Sequence, residues 1–210
     1  MNKQIFFMVG LIGALAFTGC RKDFEEINSN PNEPTAVSPG FLLTSAQKAT
    51  MDRVYDSFWG SRRAMQTAQY WSSNQYSNES RYQYRDATAN GAWASFYAGP
   101  LQDLQTIIDL NTGDNAADYS GYGDNENQIA VCQLLQAWTF QHLSDAFGAI
   151  PMSEALTGVA NTTPAYDSQA DVYSGLLDLI DGALSGMNVS GAGPQGDQIY
   201  GGDMAQWAKF

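Results

Sequence analysis

The only histidine of the chain, His142, lies three residues before Asp145 in the stretch TFQHLSDAFGAIP. A carboxylate at that spacing could orient the imidazole as a general base. However, no serine or cysteine lies in a recognisable nucleophile motif, and one histidine cannot assemble a zinc site. The sequence also marks no pair of carboxylates at glycosidase spacing. We therefore interpret His142 as a histidine near a helix end, bonded to a carboxylate or a backbone group, and we expect a protein without catalytic activity.

A polar, glycine-rich connector carries Asp114, Asp118 and Asp124, whose carboxylates are of the kind that calcium prefers. The spacing does not fit an EF-hand loop, because placing Gly123 at the glycine position puts Ile129 where the bidentate glutamate belongs. No glycine-rich phosphate loop follows a strand pattern either. We expect a solvated connector, no metal site and no cofactor.

Aromatic residues are concentrated between Tyr55 and Tyr97, where they make up 11 of 43 residues against 12% in the whole chain. The middle of this block, YWSSNQYSNESRYQYRD (residues 70–86, the aromatic segment), contains no aliphatic residue. Rings interleaved with amides and guanidinium groups suit stacking on sugar faces, and they suit peptide recognition almost equally well. The candidate ligand-binding residues are Trp71, Asn74, Tyr76, Arg81, Tyr82, Tyr84 and Arg85.

A structural role for the same segment remains open. In that interpretation, Trp71 closes a helix against the core. The two arginines, Arg81 and Arg85, then offset nearby carboxylates such as Glu79 and Asp86.

The first residues of the chain have the layout of a bacterial lipoprotein signal. Lys3 precedes an apolar run from Ile5 to Phe17, and Thr18-Gly19 stand directly before Cys20. We predict a signal peptide over residues 1–19 and lipidation of Cys20. Several acyl chains, palmitate among them, would hold the protein on a membrane, since each buried methylene contributes about 0.8 kcal/mol. Residues 20–39, rich in proline, are predicted to form an extended tether.

Composition excludes whole classes of partner. The chain has 10 basic and 22 acidic residues and a net charge of −12, which excludes binding to nucleic acid through charge. If Cys20 is lipidated, Cys132 is left without a disulfide partner, and its apolar helical surroundings indicate a small buried side chain.

Apolar spacing predicts helices along the rest of the chain, and no stretch alternates as a strand would. Ser38 and Pro39 are predicted to start a helix, and a second is predicted over Arg62 to Trp71. A third, from near Asn90, should be kinked by Pro100. A long helix is predicted after Asp124, and another is capped by Asp167 or Ser168. The first of these should bury Leu42, Ala46, Ala49 and Val54, and the last carries Tyr173, Leu176, Leu177, Ile180 and Leu184. The predicted fold is all-α: stacked helical hairpins with long irregular loops.

At the end of the sequence, Asp203 is a predicted cap for a helix with Met204, Trp207 and Phe210 at one-turn spacing. With nothing following to cover them, we expect these apolar side chains to be exposed or poorly packed. We also expect the chain to be a truncated piece of a longer protein.

Five segments in order resemble the SusD/RagB family of Bacteroidetes lipoproteins: FEEINSNPNEPTAVSPGFLLTSAQ, WASFYAGPLQDLQTII, AVCQLLQAWTFQHLSDAFGAIPMSEAL, PAYDSQADVYSGLLDLID and IYGGDMAQWAKF. In the most specific piece, LSDAFGAIPMSEAL, Asp145 and Gly148 are expected to shape a turn, Pro151 to fix its exit, and Glu154 to be structural.

The resemblance implies a surface-exposed outer-membrane lipoprotein without enzymatic activity and a tetratricopeptide-like helical fold. Its partners would be a glycan, or in some members a peptide, and a SusC-like TonB-dependent transporter that receives this nutrient. Residues 40–210 would then be the amino-terminal part of a SusD-like domain. The alternatives are a structural surface lipoprotein without a ligand and, least favoured, a carbohydrate-active enzyme.

Overall fold

The computed structural model describes residues 37–210, so the predicted signal peptide, Cys20 and most of the tether lie outside the described residues. Six α-helices are described: α1 (Pro39–Val54), α2 (Asp86–Phe96), α3 (Gln102–Thr112), α4 (Asn125–Phe147), α5 (Gln169–Gly186) and α6 (Met204–Trp207). Two π-helical segments are Ser57–Met65 and Tyr97–Leu101, and the 3-10 turns are Glu79–Arg81, Ala116–Tyr122 and Gly158–Ala160. Within residues 37–210 the only strand-like pairing is a single antiparallel bridge between Ile150 and Asp167. The all-helical prediction is confirmed.

Helix α4 is the centre of the fold. It packs against α3 and α5, while α1 packs against α3, so that neighbouring helices contact one another as in stacked hairpins. Its residues enter two apolar clusters, one around Leu104, Leu135 and Trp207 and one around Phe96 and Phe140. Cys132 is buried in the first cluster, as predicted. None of the helices within residues 37–210 combines the length and the apolar character needed to cross a bilayer.

The buried face of α1 differs from the prediction. Ala46 is buried as expected, but Leu42 and Ala49 are only half-buried, and Gln47 is buried instead. Gln47 Nε2 donates to Asp197 Oδ1 over 2.8 Å, and Gln47 Oε1 accepts from the backbone N–H of Gln198 over 2.7 Å. A polar residue can therefore define the inner face, which an apolar pattern cannot indicate.

The predicted helix over Arg62 to Trp71 is wrong in its bounds. The helical backbone begins at Ser57 as a π-helical segment, and Gln69 takes a left-handed conformation with φ 61° before Trp71 is reached. The start is fixed by Asp56, whose Oδ1 accepts from the backbone N–H groups of Trp59 and Gly60.

The predicted interruption at Pro100 is confirmed, although the preceding helix begins at Asp86 and not near Asn90. Pro100 lies in the π-helical segment Tyr97–Leu101, where Gly99 has non-helical angles of φ −111° and ψ −107°. Because proline offers no N–H and its ring clashes with the preceding turn, the chain cannot continue as a regular helix there.

The start of α5 follows the prediction, because the Ser168 side chain accepts from the backbone N–H of Asp171. Asp167 has another role: its carboxylate accepts from Ser153 Oγ over 2.6 Å and from the backbone N–H groups of Met152 and Ser153 over 2.8 Å each. These bonds outweigh the effect of burial and lower the pKa of Asp167.

The expectation that the last helix leaves its apolar side chains uncovered is wrong for Met204 and Trp207, which are buried. Asp203 caps α6 as predicted, through the backbone N–H groups of Ala205 and Gln206. The indole of Trp207 packs in the first cluster, and its Nε1 donates to Asp197 Oδ2 over 2.8 Å. Only Phe210 remains half-exposed.

Candidate functional site

A cleft of about 770 Å³ opens between the segment Ser57–Met65, the aromatic segment and the end of α4. Its lining combines aromatic faces with a few polar groups, which is the usual character of small-molecule sites. The side chains that matter for its chemistry are Trp59, Arg63, Trp71, Tyr84, His142 and Asp145.

One wall of the cleft depends on a close backbone approach at Gly60. A Cβ atom at this position would lie 1.8 Å from the carbonyl oxygen of Val54, so no other residue fits without moving the backbone. The turn at Gly60 therefore places Trp59 and Arg63 on one wall.

Trp59 is buried and connects this wall to α4. Its ring stacks on Phe147, with centroids 5.3 Å apart and planes 17° apart. Its indole Nε1 donates to Nε2 of His142 over 3.0 Å. Since Nε2 must be unprotonated to accept this bond, the contact stabilises neutral His142.

The predicted contact of His142 with a carboxylate or a backbone group is wrong, because its Nε2 accepts from the indole of Trp59 instead. Burial lowers its pKa, the Asp145 charge raises it, and the Arg63 charge lowers it again, leaving the pKa below its ordinary value. Asp145 does not orient the imidazole, because its Oδ1 accepts from the Tyr173 hydroxyl over 2.5 Å. The two residues thus lack the arrangement of a general base and its orienting carboxylate.

Arg63 lies over aromatic rings. Its guanidinium carbon is 4.1 Å from the centroid of Trp59, 5.6 Å from that of Tyr84 and 5.9 Å from that of Phe147. These distances are within the range of cation–π attraction. Residue type and spacing did not indicate Trp59 or Arg63 as site residues, because only the π-helical turn brings them to the wall of the cleft.

The aromatic segment exposes its rings. Tyr70, Trp71, Tyr76, Tyr82 and Tyr84 are between 50% and 76% exposed. Trp71 is therefore not closed against the core, so the structural interpretation of Trp71 is wrong. It is right for Arg85, whose guanidinium pairs with Glu79 over 2.9 Å.

The structure brings two of the seven candidate residues, Trp71 and Tyr84, to the cleft. Tyr82 lies beside it, and its hydroxyl donates to the carbonyl of Thr67 and accepts from Gln69, both over 3.0 Å. Tyr76 lies 5.4 Å from the guanidinium of Arg62. The remaining candidates, Asn74 and Arg81, are exposed and do not line the cleft.

Local polar contacts hold the aromatic segment in place of an apolar core. Ser80 Oγ donates to the buried Gln66 over 2.8 Å, and Glu79 is buried beneath Arg85. Of the four non-glycine residues with positive φ among residues 37–210, Tyr76 and Tyr82 lie in this segment and Gln69 directly precedes it. Such conformations cost of order 1 kcal/mol or more each and are typical of ligand sites.

In the turn after α4, the structure supports the predicted roles of Gly148 and Glu154. Gly148 has a φ of 80°, and Glu154 Oε2 accepts from Asn161 and from the backbone N–H of Ala165. The Tyr97 hydroxyl donates to the carbonyl of Pro151 over 2.6 Å. Asp145 is the exception, because it bonds to Tyr173 on α5.

In the acidic connector, Asp124 directs its Oδ2 to the backbone N–H of Ala192 over 3.2 Å. Across residues 37–210, no three His, Cys, Asp or Glu side chains are grouped closely enough to hold a metal ion.

The family model described as SusD-like, starch-binding and associating with the outer membrane matches residues 31–210. The chain belongs to the SusD-like family. Solved structures agree: a chitin-binding protein is 29% identical with a TM-score of 0.68, and it aligns with 82% of this chain and 36% of its own. No curated protein matches the chain at a significant level.

Two further structures of this family share the fold. A SusD/RagB family protein from Bacteroides thetaiotaomicron is 21% identical with a TM-score of 0.64, over 83% of this chain and 36% of its own. A SusD homolog from Bacteroides fragilis is 21% identical with a TM-score of 0.55, over 82% of this chain and 33% of its own. This chain therefore spans about a third of the length of the solved structures that it matches.

Proposed function

We propose that this SusD-like protein is an outer-membrane lipoprotein that binds a nutrient glycan at the cell exterior and delivers it to a SusC-like TonB-dependent transporter. The family description, starch-binding and association with the outer membrane, supports the compartment and the ligand class. The transporter partner is implied by the family resemblance, and the lipid anchor at Cys20 is predicted from the signal-peptide layout that precedes it.

The observation that carries the proposal is the exposed aromatic wall of the cleft. Trp71 and Tyr84 present half-exposed rings at its edge, without aliphatic neighbours from their own segment. Flat rings beside hydrogen-bonding groups match the alternating faces and hydroxyls of a sugar chain. Asn74, Tyr76, Arg81, Tyr82 and Arg85 complete the proposed ligand surface, with Arg85 acting from its ion pair with Glu79.

A glycan is favoured over a peptide because the relative that is 29% identical is a chitin-binding protein. Binding, and not hydrolysis, is favoured because His142 is bonded to Trp59 and Asp145 to Tyr173 on α5, so the two residues do not form a pair.

A glycan array and calorimetry on the full-length protein test the proposal, together with copurification of a TonB-dependent transporter from outer membranes. We expect binding to at least one oligosaccharide, without its hydrolysis. Failure of every glycan and of every transporter to bind would favour a structural lipoprotein, and cleavage of a bound oligosaccharide would favour an enzyme.

The anchor is tested separately. We expect Cys20→Ser to abolish partition into the detergent phase, and unchanged partition would reject lipidation. Replacing Asp23, Glu25 and Glu26 by alanine should reduce surface exposure without releasing the protein from membranes, because acids shortly after the lipidated cysteine resemble surface-export signals of this phylum.

A further inference from the structure

Positive charge is concentrated in the stretch of this acidic protein that supplies most of the residues lining the cleft. Between Arg53 and Asp86 the sequence holds five arginines and three acidic residues. The rest of the chain holds 19 of the 22 acidic residues and 5 of the 10 basic ones. A negatively charged ligand would therefore be attracted to this region of the protein.

Arg53 and Arg85 each pair with a carboxylate of the same region. Arg53 pairs with Asp56 over 2.8 Å and also donates to Ser95 over 2.7 Å. Arg85 pairs with Glu79 over 2.9 Å. Each of these pairs uses a carboxylate that could otherwise have balanced an arginine in the cleft.

Arg63 lines the cleft and has no such partner. None of the carboxylates among residues 37–210 forms an ion pair with it. Its guanidinium lies against aromatic rings instead: the guanidinium carbon is 4.1 Å from the ring centroid of Trp59 and 5.6 Å from that of Tyr84. A guanidinium packed on aromatic rings keeps its N–H donors in its own plane, where they can form a bidentate pair with a carboxylate.

The one carboxylate of the cleft, Asp145, is suited to a different group of the ligand. It lines the same cleft as Arg63 without pairing to it, and it already accepts a hydroxyl hydrogen bond from Tyr173. An ionised carboxylate can accept several such bonds, and sugar hydroxyls are donors of this kind.

On the basis of the glycan binding proposed above, we propose that the cleft recognises an acidic oligosaccharide, with a uronate carboxylate on Arg63. Hydroxyls of the sugar donate to the Asp145 carboxylate, and the faces of the sugar rings stack on Trp71 and Tyr84. Beside the arginine, the cleft thus offers an acceptor for hydroxyls and aromatic rings for stacking. This combination favours a uronic acid, which carries hydroxyls and a ring next to its carboxylate, over the terminal carboxylate of a peptide.

Calorimetry on the full-length protein with uronate oligosaccharides tests this inference. The panel holds oligogalacturonate, alginate, hyaluronan and glucuronoxylan fragments, each beside its methyl-esterified or carboxyl-reduced counterpart, with chitin and starch oligosaccharides as neutral ligands and an acidic peptide as a further arm. We expect the tightest ligand to carry a carboxylate and to lose at least tenfold in affinity when that carboxylate is esterified or reduced. A neutral oligosaccharide or the peptide as the tightest ligand overturns the inference, and in the first case leaves the proposed function intact.

Variants then assign the effect to Arg63. Arg63→Gln should weaken the acidic ligand about tenfold and flatten the dependence of its Kd on salt, while neutral ligands change little. Arg63→Lys should retain the salt dependence but lose part of the affinity, because an ammonium cannot form the bidentate pair.

Lys48→Gln is the matched control, because it removes an exposed cation of α1 that pairs with Asp52 outside the cleft. Thermal melts of each variant show whether loss of the contact with Trp59 unfolds the wall. Equal weakening of acidic and neutral ligands by Arg63→Gln contradicts the inference, and no binding to any glycan contradicts the proposed function with it.

Discussion

Trp207 and Trp71 are tryptophans with polar neighbours in sequence, yet they lie in opposite environments. Trp207 is 0% exposed and donates its indole N–H to Asp197, while Trp71 is 55% exposed at the edge of the cleft. The region around Trp207 is a core, and the region around Trp71 is a surface.

The difference lies in the reach of the hydrogen bonds. Asp197 accepts from Gln47 in α1, from Trp207 in α6, and from the backbone N–H groups of Ile199 and Gly202, all over 2.8–2.9 Å. One carboxylate thus joins the first and last helices of the described chain. Satisfied buried donors of this kind let polar residues serve as core.

The aromatic segment is held by bonds that stay within its own neighbourhood, such as those from Ser80 to Gln66 and from Tyr82 to Thr67. Such bonds fix the course of the backbone without covering the rings. Trp207 therefore contributes to stability, whereas Trp71 remains accessible to a ligand.

The largest effect is expected from Asp197→Ala. Its loss leaves four close donors, from α1, α6 and the loop before α6, without their acceptor, and each buried unsatisfied donor costs about 1–3 kcal/mol. We expect the free energy of unfolding to fall by about 3 kcal/mol or more, measured by denaturant titration of the full-length protein. Asp203→Ala, an exposed cap of α6, is the control and should cost less. Equal losses would show that Asp197 does not join the two helices.

The two tryptophans provide the second test. Trp207→Ala should cost about 3–5 kcal/mol of stability, as other buried aromatics do. Trp71→Ala should change stability by less than about 0.5 kcal/mol, and Tyr82→Ala, which also loses its hydrogen bond to the Thr67 carbonyl, by about 1 kcal/mol. Each variant should weaken glycan binding by about 1 kcal/mol or more. Thermal melts and calorimetry with the tightest-binding oligosaccharide separate the two outcomes. Early melting with retained affinity in the Trp71 and Tyr82 variants would make the segment scaffold.

Sequence patterns predicted what local chemistry decides. The caps at Ser168 and Asp203 follow from residue type at a helix start, and the interruption at Pro100 follows from a missing N–H. The exposure of the aromatic segment followed from its lack of aliphatic neighbours.

Long-range contacts were beyond these patterns. The burial of Gln47 and Trp207 depends on Asp197, and Asp197 lies 150 residues from Gln47. In the candidate site, composition indicated Trp71 and Tyr84, but it could not place Arg63 and Trp59 beside His142. That arrangement requires the π-helical turn, which the close approach of Gly60 to Val54 allows.

The two regions should also respond to acid in different pH ranges. The pKa of His142 in the folded protein lies below its ordinary value of 6.5. Between these two pKa values, the unfolded chain therefore binds a proton at His142 that the folded protein does not. Stability from His142 is thus fully present above pH 6.5 and is lost as the pH falls through the folded pKa. Hydrogen bonds from Gly202, Gln47 and Trp207 outweigh burial and lower the pKa of Asp197, so its contribution is lost only below pH 3.8.

We therefore expect the melting temperature to decline in two steps, the first starting near pH 6.5 and the second below pH 3.8. His142→Gln should remove the first step and retain the second, measured by melts across a pH series. A first step that persists in His142→Gln would assign it to another group.

The smallest effect concerns backbone strain, which distinguishes the aromatic segment from the core. Gln69 has a φ of 61°, whereas Gln75 is not among the residues with positive φ. A left-handed conformation costs a residue with a Cβ about 1–2 kcal/mol, while glycine elsewhere loses about 0.5–1 kcal/mol relative to alanine.

At position 69, glycine should therefore be as stable as alanine or up to about 1 kcal/mol more stable, and at position 75 alanine should be the more stable. Denaturant titrations of the four variants compare the two positions with side-chain contacts removed in both. The same preference for alanine at both positions would show that no strain is held at Gln69. The arrangement of the exposed rings would then depend on the polar contacts of the segment, such as those from Ser80 to Gln66 and from Tyr82 to Thr67.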